Sequence, residues 1–137
     1  MFLLIGQDEA LLEGLAQLLA GAGHRIRVAR SLDEAEELAR QSAPLMIVVD
    51  RGSVIADGGA RMSRIPLASG GAFVLYRTTS DQGPNLALAH GIARQTLADL
   101  ALPLERQRLA ALAQYVNARA RESGRIRFDT PPERRAP

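Results

Sequence analysis

Short apolar runs alternate with segments of helical periodicity along most of this chain, and this alternation limits its possible folds more than any other feature. The first run, Phe2 to Ile5, is followed by leucines at positions 11, 12, 15, 18 and 19, which fall on one face of a helix. Parallel strands are joined by crossover connections that usually contain a helix. The alternation therefore predicts β-α-β units and a parallel sheet.

The same pattern continues to about residue 120. Further strands are predicted at Arg25 to Ala29, Leu45 to Val49, Ala72 to Tyr76 or Arg77, and Leu97 to Leu102. Further helices are predicted from Ser31 to Arg40, in a short glycine-rich segment between residues 57 and 65, at residues 84–94, and after Pro103. Five strands alternating with five helices predict an α/β, flavodoxin-like, doubly wound five-stranded parallel sheet, in the order 2-1-3-4-5 with helices on both faces.

The length of 137 residues suits one globular domain, which we assign to residues 1–122. Residues 123–137 are rich in proline and arginine, and we interpret them as a tail that is a linker, an arm or disordered. The chain contains no cysteine, which excludes a thiol enzyme and favours a reducing, cytoplasmic location. No apolar run is long enough to span a membrane. The net charge of +2 does not indicate direct nucleic-acid binding.

Two acidic residues follow strands that should be neighbours. Asp8 comes after the first predicted strand and Asp50 after the third. In this architecture ligands bind beyond the carboxyl ends of the strands, where the strand order reverses. Topology alone therefore predicts that these two carboxylates lie close together.

Several segments, in this order and at this spacing, resemble the receiver domain of bacterial two-component response regulators. They are LLIGQDE at residues 3–9, LMIVVD at 45–50, the Asp57-Gly58 pair, and Leu-Pro at 102–103 where the family has Lys-Pro. The resemblance covers residues 1 to about 120. An unrelated flavodoxin-like domain is the main alternative.

The resemblance implies a phosphoacceptor site. Asp50 matches the phosphorylated aspartate, Asp8 matches one acid of the Mg²⁺-binding pair, and Gly52 matches the position whose carbonyl also binds the metal. Thr78, or Thr79 as an alternative, matches the hydroxyl that senses the phosphoryl group. Mg²⁺ prefers such oxygen ligands and neutralises charge during phosphoryl transfer.

The departures from the family pattern act against this chemistry. Gln7 replaces the other acid of the pair, and Leu102 replaces the lysine that contacts the phosphoryl oxygens. The whole chain has no lysine, since its 17 basic side chains are all arginine. Arg77 or Arg51 could supply a replacement cation or be solvated surface residues, and Asp99 stands where many receivers carry a switching aromatic residue. We expect at most weak Mg²⁺ binding and no other cofactor.

The last predicted helix carries a candidate interaction surface beside its core positions Leu109, Leu112, Ala113, Val116 and Ala120. This surface consists of Arg108, Ala111, Tyr115 and Arg119. Tyrosine and arginine are enriched at interface hot spots, although an ordinary solvated helix face is the alternative.

These observations predict a non-enzymatic, atypical receiver-like module that signals through protein contacts in a two-component-type pathway. Its partner would be a histidine kinase, an output domain or another signalling protein, and a homodimer is possible. The main alternative is a working receiver that is slowly phosphorylated at Asp50 with Mg²⁺. A small flavodoxin-like enzyme is a more distant third.

Overall fold

The computed structural model describes residues 1–56, 61–78 and 96–129 of the protein. Its strands are β1 (Phe2–Ile5), β2 (Ile26–Ala29), β3 (Met46–Asp50), β4 (Ala72–Thr78) and β5 (Thr96–Leu102). Its helices within these ranges are α1 (Glu9–Gly21), α2 (Leu32–Gln41), α3 (Arg51–Ala56) and α4 (Arg106–Asp129), with a short 3₁₀ helix at Met62–Arg64.

The five strands form one sheet in the order β2-β1-β3-β4-β5, and every neighbouring pair is parallel. The predicted flavodoxin-like topology is therefore confirmed. Strand order reverses between β1 and β3, which are paired directly with Ile5 opposite Val49. This pairing sets the ends of β1 and β3 side by side at the carboxyl edge of the sheet.

Apolar side chains cover both faces of the sheet, because successive residues of a strand point to opposite sides. On one face, Phe2 and Leu4 of β1 pack with residues of α1 and α4, which are Leu12, Leu15, Leu19, Leu109, Ala113 and Val116. On the other face, Leu3 and Ile5 pack with residues of α2 and α3, which are Leu32, Ala35, Ala39 and Val54. We call these the α1/α4 face and the α2/α3 face. The prediction of helices on both faces is confirmed.

Side chains at the strand ends start the first two helices. Asp8 Oδ1 accepts a hydrogen bond from the Leu11 backbone N–H at 3.1 Å, and Ser31 Oγ accepts one from Glu34 N–H at 3.2 Å. Both residues satisfy amides that have no partner inside the helix. The predicted helix start at Ser31 is therefore confirmed, and Asp8 has a structural role in addition to any functional one.

The prediction for the third helix was wrong. It had placed that helix between residues 57 and 65, but α3 begins at Arg51, directly after β3. The physical reason is that the Asp50 carboxylate accepts a hydrogen bond from Ser53 N–H and so caps a helix at the end of the strand. Residues 57–60, which include the Asp57-Gly58 pair, lie outside the described residues.

The last helix is longer than expected. It continues through Gly124 to Asp129, into the segment that the sequence assigned to a tail. One glycine inside a helix costs only about 1 kcal/mol relative to alanine, so it weakens a helix without ending it. The predicted helix at residues 84–94 and the end of the tail lie outside the described residues. Among the helices that the structure describes, none is long and apolar enough to cross a membrane.

Candidate functional site

The two predicted acids lie at neighbouring strand ends on the carboxyl edge of the sheet. Asp8 follows β1 and is exposed, whereas Asp50 is the last residue of β3 and is partly buried. Asp50 is paired with Tyr76 of β4, and both carboxylates act electrostatically on the Tyr76 hydroxyl. The structure thus brings Asp8 and Asp50 to the same small region, as the topology predicted.

Tyr76 fills the space beneath this acidic pair. Its side chain is only 2% exposed, and its hydroxyl donates a hydrogen bond to the Ile5 carbonyl at 3.3 Å. Burial raises the pKa of Tyr76 well above its usual value, and the charges of Asp50 and then Asp8 raise it further. The phenol is therefore neutral at physiological pH. Tyr76 was not predicted as a site residue, because in the sequence it is one more apolar position of a strand.

Gly6 makes room for this phenol. A Cβ atom at Gly6 would lie 2.1 Å from the Tyr76 hydroxyl oxygen and 3.4 Å from Cζ of the same ring. Real side chains do not tolerate the first distance, so Gly6 and Tyr76 depend on each other.

Ser53 donates hydrogen bonds to both oxygens of the Asp50 carboxylate. The Ser53 hydroxyl donates to Oδ1 at 2.5 Å, and the Ser53 backbone N–H donates to Oδ2 at 3.1 Å. Hydrogen bonds to a carboxylate are among the stronger ones in proteins. Asp50 is thus held as the cap of α3. The spacing Asp-x-x-Ser at a strand end is the sequence signal of this cap, which was not predicted.

Gln7 holds two loops together at the position of the missing acid. Its Nε2 donates to the Arg30 carbonyl at 2.9 Å, which joins the connection after β1 to the one after β2. The adjacent pair Arg30–Glu9 joins the connection after β2 to the first residue of α1 at 2.8 Å, with both side chains well exposed. The replacement of the acid therefore contributes a structural contact.

Leu102 is fully buried at the end of β5, where the family resemblance implies a lysine. It is paired with Thr78, and its side chain belongs to the core of the α1/α4 face. Thr78, the candidate sensing hydroxyl, is partly buried at the end of β4, and Thr79 lies outside the described residues. Gly52 is inside α3, where helical geometry directs its carbonyl along the helix axis toward residue 56.

Two arginines that were considered as replacement cations bind Asp99 instead. Arg51 Nη1 lies 3.0 Å from one Asp99 oxygen, and Arg77 Nη1 lies 3.4 Å from the other. Asp99 is paired with Leu75, whose side chain is in the core of the α2/α3 face. These ion pairs therefore lie on the side of the sheet opposite to that of Leu102. Asp99, at the position of the switching aromatic residue, here forms ion pairs with these two arginines.

The acidic pair offers few ligands for a metal ion. Mg²⁺ commonly binds through one or two carboxylates, with waters and phosphate oxygens completing its octahedral shell. Asp8 and Asp50 fit that minimum, but both already accept hydrogen bonds from the first turns of helices. No group of three or more histidine or acidic side chains that could hold a metal occurs among the described residues. The donor set fits a weak Mg²⁺ site.

An open groove of about 610 Å³ lies beside Asp8, between α1 and the start of α4. Its walls combine apolar and polar groups and include Asp8, Leu11, Leu15, Thr78, Pro103 and Arg106. The groove connects one member of the acidic pair to the end of β4. Arg106 is thus close to this region, although no sequence motif singles it out.

The residues of the predicted interaction surface lie together on α4. Tyr115 is 54% exposed, and the Arg119 guanidinium lies 5.4 Å from the centre of its ring. Arg119 also donates to the Gly70 carbonyl at 2.8 Å, and Arg108 pairs with Glu105 at 3.1 Å. The first two contacts hold Arg119 beside the exposed tyrosine, whereas Arg108 pairs with Glu105 at the start of the helix.

Comparison with solved structures places this fold among receiver domains. The receiver domain of NtrX from Brucella abortus matches with a TM-score of 0.62 and 17% identity, covering 85% of this chain and 97% of that chain. A putative response regulator from Chloroflexus aurantiacus J-10-fl matches with a TM-score of 0.64 and 25% identity, covering 85% and 97%. A response regulator receiver modulated diguanylate cyclase from Pelobacter carbinolicus matches with a TM-score of 0.63 and 13% identity, covering 90% and 96%.

No protein-family model matches the sequence, and no curated protein matches it. The similarity is therefore carried by the structure, and it shows the CheY-like receiver fold of response regulators.

Proposed function

We propose that the chain is an atypical receiver-like signalling module that acts through protein contacts in a two-component-type pathway, with weakened or lost phosphoacceptor chemistry. The fold of its structural neighbours supports the signalling role, since their names describe receivers and a receiver-modulated cyclase. The incomplete acidic pair supports the description of this module as atypical.

One observation carries the proposal. Both oxygens of Asp50 accept hydrogen bonds from Ser53, which stabilise the negative charge of the carboxylate and fix its orientation, so it is a weaker nucleophile than a free carboxylate. A hydrogen bond to a charged group contributes about 1.5 to 3 kcal/mol, and the part of this that is lost as the carboxylate gives up its charge in the transition state would slow attack by up to roughly a hundredfold. In this arrangement the Asp50 carboxylate serves mainly as the cap of α3.

The charges around Asp50 support the same conclusion. Phosphoryl transfer is catalysed mainly by positioning and by cations that stabilise the negative oxygens. When bound, Mg²⁺ would neutralise part of this charge, and Asp8 and Asp50 would hold it. The position of Gln7 lacks the negative charge that would strengthen metal binding, and the buried Leu102 cannot contact an anion.

The alternative is a working receiver that is phosphorylated slowly at Asp50 with Mg²⁺. The observation in its favour is that Asp8 and Asp50 remain at the same edge of the sheet, near enough to Tyr76 for both to affect its pKa. Under this alternative the site is impaired in rate but is still used.

Intact mass measurement after incubation with Mg²⁺ and acetyl phosphate distinguishes the two. We expect the parent to gain phosphate slowly or not at all, and the Gln7→Asp, Leu102→Lys double variant to gain it faster. The Asp50→Asn variant is the control for the site of modification. Fast, stoichiometric modification of the parent that Asp50→Asn abolishes would reject the weakened chemistry and support the alternative.

The protein contacts are proposed to involve the surface of Arg108, Tyr115 and Arg119. The exposed Tyr115 ring, with the Arg119 guanidinium beside it, suits a partner that presents carboxylates, whether a kinase, an output domain or a second copy of this chain.

A further inference from the structure

The outward side of α4 carries a continuous row of exposed side chains. The row follows the helix at alternating spacings of three and four residues, and its members are Arg108, Ala111, Tyr115, Ala118 and Glu122. We call these five residues the α4 stripe. The same spacing is typical of helices that pair along a shared seam. The α4 stripe therefore has the spacing that suits pairing with a second helix.

Tyr115 lies at the centre of the α4 stripe and is held in place by Arg119. Its side chain is 54% exposed, and the Arg119 guanidinium lies 5.4 Å from the ring centre while donating to the Gly70 carbonyl. A ring that is fixed in this way loses little conformational freedom on binding. Ala111 and Ala118, on either side of the ring, are small and leave room for a ring from a partner helix.

The charges of the α4 stripe are complementary to a reversed copy of the same stripe. Arg108 lies seven residues before Tyr115, and Glu122 lies seven residues after it. When two stripes pair in opposite directions about a two-fold axis at Tyr115, Arg108 of each chain faces Glu122 of the other. In a parallel pair each of these residues would face its own copy, and like charges would repel. The charge pattern thus favours the antiparallel direction.

Both charged groups are available for such contacts. Glu122 forms no ion pair or side-chain hydrogen bond with any residue in the described ranges. Arg108 contacts Glu105 at 3.1 Å, but the Arg108 side chain is 62% exposed, and exposed ion pairs contribute little to stability. Because a guanidinium has several N–H donors, Arg108 can bind a second carboxylate without losing the first.

We propose that the partner of the α4 stripe is a second copy of this chain, and that the two α4 helices pair antiparallel about a two-fold axis at Tyr115. Each Tyr115 packs against the partner's helix between Ala111 and Ala118, and an Arg108–Glu122 ion pair forms on each side of the axis. Such a two-fold interface uses the same surface on both copies and closes the assembly at two chains. This inference rests on the proposed function, because it names the partner at the surface assigned to protein contacts.

Charge reversal tests the ion pairs. Analytical ultracentrifugation of the whole chain, from micromolar to millimolar concentration, gives the dissociation constants of the parent, Arg108→Glu, Glu122→Arg and the variant with both changes. Each single reversal turns two attractive pairs into repulsive ones and should raise the dissociation constant about tenfold. The variant with both changes should return to within about threefold of the parent.

The matched control for these variants is Arg121→Glu. Arg121 is exposed on the same helix but lies outside the α4 stripe, close to His24. This reversal should leave the dissociation constant unchanged. Circular dichroism checks that every variant is folded, which the exposure of the substituted residues leads us to expect.

Disulfide crosslinking tests the direction of pairing, and the absence of native cysteines makes it selective. In the antiparallel pair Ala111 lies almost level with the partner's Ala118. A mixture of the Ala111→Cys and Ala118→Cys variants should therefore form dimers that join the two different chains. A parallel pair would instead join each variant to itself, because a disulfide requires Cα atoms within about 7 Å of each other.

Three outcomes would overturn the proposal. They are a parent that is monomeric at all concentrations, self-joined cysteine variants in place of mixed dimers, and charge reversals that weaken the dimer without recovery when combined. None of these measurements involves phosphate, so they are independent of the acetyl phosphate experiment. A monomeric parent would reject the homodimer and leave the proposed signalling role to a different protein partner.

Discussion

The contact between Gly6 and Tyr76 provides a test of how this sheet edge is packed. In Gly6→Ala, the added methyl group would lie 2.1 Å from the Tyr76 hydroxyl, which is more than 1 Å inside an ordinary contact. The tyrosine is buried and cannot swing away, so the substitution overpacks the core. Such changes cost about 1 to 3 kcal/mol, and the severity of this contact places it at about 3 kcal/mol.

Tyr76→Phe should relieve the overpacking. Alone, it loses the 3.3 Å hydrogen bond to Ile5 and costs about 1 kcal/mol. In the double variant, however, the nearest ring atom, Cζ, is 3.4 Å from the new methyl group, which is a normal distance. If the two changes were independent, they would cost about 4 kcal/mol together; we expect about 1 kcal/mol, a coupling of about 3 kcal/mol.

Urea unfolding followed by far-ultraviolet circular dichroism measures the four free energies, since the chain has no tryptophan to report by fluorescence. Gly14→Ala is the matched control, because a Cβ there meets nothing within 4 Å. That change on α1 should stabilise the protein by up to about 1 kcal/mol. Additive costs for the Gly6 and Tyr76 variants would show that this contact does not exist in the protein and would refute the reasoning.

Three further predictions concern capping, association and acid stability. Ser53→Ala should cost about 1 to 2 kcal/mol in unfolding free energy, yet increase the rate at which acetyl phosphate modifies Asp50; a lower rate would contradict the capping argument. If the α4 surface mediates a homodimer, light scattering should show dissociation in the Tyr115→Ala, Arg119→Glu double variant, whereas a parent that is monomeric at all concentrations would remove support for it. A backbone amide donor, followed by Arg108, lowers the pKa of Glu105, so its stabilisation is present above its unfolded pKa and is lost as pH falls below about 4. Glu105→Gln should therefore reduce the fall in melting temperature on acidification. A fall equal to that of the parent protein would contradict this prediction.

The sequence by itself determined the strands, their order and the meeting of the two acids. Apolar runs such as Phe2–Ile5 are local signals of burial, and the crossover rule for parallel strands converts their sequence into a sheet. Asp8 and Asp50 then meet because any doubly wound sheet of this order brings the ends of β1 and β3 together. None of this required knowledge of side-chain contacts.

The tertiary structure alone decided what surrounds those acids. The Tyr76 hydroxyl reaches the Ile5 carbonyl across 71 positions, and Arg51 reaches Asp99 across 48. Such contacts depend on strand register and on which face a side chain occupies, and a shift of one residue would reverse both. Periodicity records that a residue is buried but not against which partner, so from the sequence Tyr76 is an ordinary core residue of β4.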